Sequence, residues 1–90
     1  MFYVYILFSD KDKKLYTGFS TDLKSRFSAH TNGFVKATKD RRPLKLIYYE
    51  AYSEEHDARQ REKYLKGGNG RDSLKIQLKT SFQNLKYKKL

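Results

Sequence analysis

The sequence predicts one small, basic α+β domain, and three observations carry that prediction. Residues 2 to 8 alternate as a strand does, later segments repeat apolar side chains at helical spacing, and the charge balance is strongly positive. Ninety residues with 38% apolar content supply one shared core, since a chain of this size buries only about two-thirds of its unfolded surface. Aromatic residues make up 16% of the chain, mostly Tyr, so a few large side chains can fill that core.

Twenty Lys and Arg against ten Asp and Glu give a formal charge of +10. A charge of that size on a small domain attracts polyanions, and nucleic acid is the usual one. An acidic membrane surface competes as a partner, but no segment reaches the roughly 18 apolar residues of a membrane span. Met1 runs straight into a strand pattern, so no signal or transit peptide is expected and a cytoplasmic protein is the default. Without Cys there is neither a disulfide nor a thiolate metal site.

Phe2, Val4, Ile6 and Phe8 form one face of the first strand, and Tyr3, Tyr5 and Leu7 the other. A strand apolar on both faces belongs at the centre of a sheet. Residues 9 to 14 are polar and turn-forming, and residues 15 to 19 read as a second strand, so residues 2 to 19 form a hairpin. Gly18 removes side-chain bulk on the face it shares with Tyr16. A helix follows to about Thr31, with Ser20 and Thr21 as candidate N-caps, Asp22 in the first turn and Asn32-Gly33 as the stop. Its stripe of Leu23 and Phe27 also takes in Arg26 and His30, polar groups on or beside the inward face.

Residues 34 to 43 form a basic loop that Pro43 closes. Leu44 to Tyr52 read as a third strand, with Leu44, Leu46, Tyr48 and Tyr52 on one face and Ile47 and Tyr49 on the other. Ser53 is placed to cap a second helix that ends at Gly67-Gly68, with Ala58, Glu62 and Leu65 on one side. A third helix is expected over residues 71 to 85, striped by Leu74, Leu78, Phe82 and Leu85, and residues 86 to 90 form a basic tail. The expected domain is residues 1 to 85.

Tyr5, Tyr16, Arg26, His30 and Glu62 come from two strands and two helices, and all can point to one place if the helices pack on the hairpin. Phosphodiester hydrolysis needs these classes of group: one to take a proton from water, a cation for charge building on phosphorus, and help for the leaving oxygen. Arg26 can clamp phosphate oxygens, and Glu62 can hold one Mg²⁺, an ion that keeps several waters. Each residue also has a structural reading. Tyrosines in strands usually build core, a lone His on a helix is more often structural, Arg26 can pair with Asp22, and Glu62 with Lys66 or Arg59.

In their order along the chain these residues resemble the GIY-YIG nuclease domain, in particular its small stand-alone bacterial members of the UPF0213 kind. Tyr3-Val4-Tyr5 is similar to the first tripeptide of that family and Tyr16-Thr17-Gly18 to the second. Residues 22 to 30 resemble its helix with an arginine and a trailing histidine, and residues 42 to 48 and 58 to 62 continue the match, which spans about residues 2 to 75. The resemblance implies a three-stranded antiparallel sheet flanked by helices and a DNA endonuclease using a single Mg²⁺ or Mn²⁺, in the setting of DNA repair or recombination. It implies Tyr5 and Tyr16 as the motif tyrosines, one activating water and the other positioning water or phosphate. Arg26 would stabilise the phosphorane charge, His30 would contact phosphate or relay a proton, and Glu62 would hold the metal. Lys24, Lys36, Lys39, Arg41, Arg42, Lys75 and Lys79 are the expected nucleic-acid contacts, with DNA preferred over RNA as partner.

Two positions depart from the pattern: Tyr3 stands where the family has Gly, and Phe19 where many active relatives carry Lys. No specificity domain is attached, so a protein partner is a candidate source of target choice. The competing expectations are a catalytically weak or inactive nucleic-acid-binding module with the same fold, and a small interaction protein whose charge serves an acidic partner.

Overall fold

The computed structural model describes residues 1–85, and the expected basic tail lies outside them. Strands β1 (Phe2–Ser9) and β2 (Leu15–Ser20) form the hairpin, and helix α1 (Leu23–Thr31) follows. A single 3₁₀ turn (Lys39–Arg41) leads to strand β3 (Leu44–Tyr52), then to helices α2 (Glu55–Lys66), α3 (Gly68–Gln77) and α4 (Lys79–Leu85). The sheet is antiparallel with order β2-β1-β3, so the strand that is apolar on both faces is indeed central.

Antiparallel partners share a face, and the register therefore assigns the two sides of the sheet. Val4, Ile6 and Phe8 face α2, α3 and α4 and form the main core with Leu15, Ala58, Leu65, Leu74 and Phe82. Tyr5 and Leu7 point the opposite way, toward α1, and are as completely buried as the main core. No helix among the described residues is long and apolar enough to cross a membrane.

Four boundaries differ from expectation, each for a local reason. Asp22, rather than Ser20 or Thr21, caps α1, its carboxylate accepting from Ser25 N at 3.1 Å, while the Ser20 hydroxyl bonds the Asp22 backbone and shapes the turn before it. The N-cap of α2 is Glu54 and not Ser53, with no side-chain hydrogen bond at the cap. Helix α2 does end at Gly67, but α3 begins at Gly68 and not at residue 71, so the expected stop is also a corner. Gly70 explains how: a Cβ there would run into the Tyr64 carbonyl and the Leu65 backbone, so only glycine lets the two helices approach this closely. The expected helix over 71 to 85 is broken at Leu78, yet its stripe of Leu74, Leu78, Phe82 and Leu85 still packs on the core.

The faces of β3 are also reassigned. A register irregularity opposite Ile6/Leu7 interrupts the alternation, so Leu46 pairs with Leu7 and Tyr49 with Tyr5 on the α1 side, while Ile47 and Tyr48 both pack on the main core. On that core side β3 is locked to the helices by Glu50. Its carboxylate accepts from the Tyr48 and Tyr52 hydroxyls at 2.5 Å each and from Arg61 Nε and Nη2 at 3.0 Å, and Gln77 donates to the Tyr48 oxygen at 3.0 Å. Burial raises the Glu50 carboxyl pKa, but Arg61 and the two hydroxyls outweigh it and hold the group below its ordinary value.

Leu74 is fully buried and Ile76 is 81% exposed, so truncating them tests the placement of α3. Urea unfolding should show Leu74→Ala destabilised by about 2–5 kcal/mol. Ile76→Ala should stay within about 0.5 kcal/mol of the parent.

Candidate active site

Tyr5 in β1 pairs with Gly18 in β2, and its ring crosses toward the glycine. A Cβ at position 18 would overlap the Tyr5 ring and hydroxyl, so the missing side chain is what lets that hydroxyl take its place. Tyr16, two residues earlier on the same face, and His30, in the last turn of α1, complete an aromatic cluster. Ring centroids are 6.4 Å apart for Tyr5 and Tyr16, 5.6 Å for Tyr5 and His30, and 5.2 Å for Tyr16 and His30.

His30 has no exposed surface and bonds at both ring nitrogens, Nε2 to the Tyr5 hydroxyl and Nδ1 to the Thr38 hydroxyl, each at 2.7 Å. A residue closed off in this way can relay or position, but it does not touch a phosphate in this conformation. Burial, reinforced by the nearby Arg26 charge, pushes its pKa down to about 4, so the ring is neutral at physiological pH. Burial raises the Tyr5 pKa, while a hydrogen bond from Arg26 pulls the other way without reversing it. Arg26 itself is exposed, with its backbone in the first turn of α1 and its charge felt by both Tyr5 and His30. The side chain of Asp22 is used as the helix cap, and among the described residues Arg26 makes no ion pair with it.

Glu62 lies on α2, the helix on the other side of the sheet, and its charge is felt at Tyr5. Its carboxylate is 15% exposed and paired with Lys66 at 3.0 Å and Arg59 at 3.6 Å. The sequence offered Arg59 only as a partner for Glu62, a pairing that does form, and gave it no place in the site. The Arg59 guanidinium lies 3.6 Å from the Phe19 ring centroid, so a cation stacks on the side chain that follows Gly18, although position 19 itself carries no charge.

The basic residues divide. Lys24, Lys36, Lys39 and Arg42 are exposed on α1 and the following loop, on the side of the aromatic cluster. Arg41 is half-buried and clamps the loop to the hairpin, bonding Asp12 at 2.5 Å and the Leu15 carbonyl at 3.2 Å. Lys75 and Lys79 sit on α3 and α4, helices that pack on the opposite face of the sheet from His30.

The GIY-YIG catalytic domain family matches residues 1–75. The chain belongs to the GIY-YIG family. It is 39% identical to a UPF0213 protein of Clostridium perfringens over 99% of this chain and 96% of that one. A UPF0213 protein of Staphylococcus haemolyticus is 40% identical, covering 82% of this chain and 90% of the relative. One from Pediococcus acidilactici is 37% identical over 82% and 78%. No solved structure matches. GIY-YIG is a nuclease family, in which nucleic acid is the substrate and a divalent metal is generally required.

Among the described residues no three His, Cys, Asp or Glu side chains converge as a protein cage for a metal. The chemistry of Glu62 nevertheless fits a hydrated hard cation: it is a half-buried carboxylate whose two partners are long side chains, 53% and 55% exposed, that can turn into solvent.

Two measurements check this geometry. His30 prefers to be neutral in the fold, so stability should be complete above about pH 6.5 and decline as pH falls toward about 4. Asp12, held at about 2 chiefly by Arg41, is lost only below its ordinary 3.8, so the two windows are separate. In His30→Gln, denaturant unfolding across pH should lose the upper decline and keep the lower one. Gly18→Ala should cost about 1–3 kcal/mol by displacing Tyr5, with the Tyr5 and His30 ring resonances shifting together.

Proposed function

We propose that this protein is a divalent-metal-dependent endonuclease that hydrolyses phosphodiester bonds in DNA. The observation that carries the reading is the convergence of Tyr5, Tyr16 and His30 with Arg26 beside them, where a phosphate can reach Arg26 from solvent. Tyr5 is closed and its pKa is raised by burial, so it acts as a proton-bearing donor. Tyr16 is only half-buried and is the tyrosine with access to the attacking water. His30 relays and orients, Arg26 takes up the charge developing on the phosphoryl oxygens, and Arg59 holds positive charge beside Glu62. Glu62 would hold Mg²⁺ or Mn²⁺, which when bound would acidify water and neutralise phosphate charge. Lys24, Lys36, Lys39 and Arg42 hold the DNA backbone, with Arg41 fixing the loop that presents them and Lys75 and Lys79 serving a second, more distant contact.

The test incubates the purified protein with supercoiled plasmid and a branched DNA, with Mg²⁺, Mn²⁺ or chelator. Metal-dependent nicking is expected, slowed about 10²–10³-fold in Arg26→Ala and lost in Glu62→Ala. Binding should weaken steeply with salt in all three proteins. Tight binding with no cleavage by the parent protein would overturn the enzyme reading in favour of an inactive binding module. Equal nicking by parent and variants would identify a contaminant.

A further inference from the structure

The loop after α1 carries a side chain that the reaction just described leaves without a role. Thr38 is fully buried, and its hydroxyl lies 2.7 Å from Nδ1 of His30, whose Nε2 lies 2.7 Å from the Tyr5 hydroxyl. Each of the three groups brings one proton, so the chain of bonds can run in only two directions.

In the first direction Tyr5 donates to Nε2, Nδ1–H donates to Thr38, and the Thr38 proton needs an acceptor of its own. Among the described residues the Thr38 side chain has no polar partner besides His30. That direction therefore strands a buried hydroxyl proton, at a cost of about 1–3 kcal/mol. In the second direction Thr38 donates to Nδ1, and Nε2–H donates to the Tyr5 oxygen. The Tyr5 proton is then left without an acceptor in the chain of bonds, its hydroxyl seated against Gly18. Thr38 and the ring N–H are then matched, and the one unmatched proton belongs to the equally buried Tyr5 hydroxyl, which lies beside Tyr16 and Arg26 where a phosphate or water can accept it, whereas a stranded Thr38 proton has no such neighbour.

Building on the nuclease reading above, we infer that Thr38 is a positioning residue: it holds His30 in the Nε2–H tautomer, which turns the Tyr5 O–H outward to the phosphate or its attacking water. The backbone holds Thr38 for this task. Its N–H bonds the Val35 carbonyl at 3.1 Å, its carbonyl accepts from Arg41 N at 2.9 Å, and Val35 is itself buried.

The experiment uses the full chain with ¹⁵N-labelled histidine. Long-range proton–nitrogen spectra should show the His30 ring of the parent protein protonated at Nε2 and unprotonated at Nδ1. Thr38→Val keeps the shape and removes the donor, so the Nδ1 resonance should move. Plasmid nicking at saturating DNA should slow by roughly 10–100-fold, the scale seen when a partner orienting a functional histidine is removed, with DNA affinity unchanged. Thr38→Ser, which restores the hydroxyl, should recover both. A parent ring protonated at Nδ1 overturns the inference, as does a Thr38→Val protein whose spectrum and rate match the parent. Should the parent show the Nε2–H ring yet cut no DNA, the proton chain stands and the nuclease reading falls.

Discussion

A buried polar chain inside an apolar face is the constraint on which this structure depends. Tyr5, His30 and Thr38 belong to the central strand, the first helix and the loop after it, and all three are removed from water. Such groups are tolerated only when they satisfy one another. The hydrogen bonds therefore set the seat of α1 on the sheet and of the loop on α1, which apolar contact alone would leave loosely defined. The same bonds set the chemistry. A neutral histidine and a protonated tyrosine are what burial favours, so neither adds charge to the cluster.

The two faces of the sheet divide the work. The side covered by α2, α3 and α4 holds the large apolar cluster, and its one elaborate polar feature, the Glu50 network, joins strand to helix through Arg61. Arg61 immediately precedes Glu62, so the bond that locks α2 against β3 also sets how far around the helix the Glu62 carboxylate is turned. The side covered by α1 holds the tyrosines and the histidine. What links the two sides is electrostatic: the Glu62 charge on α2 is felt at the Tyr5 hydroxyl across the sheet.

Much of this was legible from periodicity. The double-faced β1, the hairpin, the three strands and the inward stripes of the helices follow from alternation and helical spacing, and the structure keeps them. Tyr5, Tyr16 and His30 assemble because their places in those patterns point them inward together. The illegible parts depend on contacts between distant segments. A single bulge exchanged the sides of Leu46 and Ile47, and strict alternation has no means of announcing one extra residue. Gly67-Gly68 ends α2 as its glycines suggest, but the start of α3 at Gly68 depends on Gly70, and glycine in a sequence does not say whether it frees a turn or admits a neighbour. Thr38 sits in a loop with no period at all, and Arg59 became informative only once it lay over Phe19. Arg41 looked like its neighbours in a basic run, and only the fold assigns it to Asp12.

That last assignment belongs to a wider division between the two kinds of cation. Each arginine is engaged within the chain: Arg26 with Tyr5, Arg41 with Asp12, Arg42 with the Lys39 carbonyl, Arg59 with Glu55 and Glu62, Arg61 with Glu50, and Arg71 with the Leu65 carbonyl. A planar, multiply donating group suits such fixed seats. The lysines of the helix α1 side, Lys24, Lys36 and Lys39, instead stand in solvent. On the α1 side the freely solvated charge is thus carried by lysines, while even the exposed Arg26 and Arg42 keep a bond within the chain. The positive field on that side can therefore be altered lysine by lysine without loosening the contacts that hold the tyrosines.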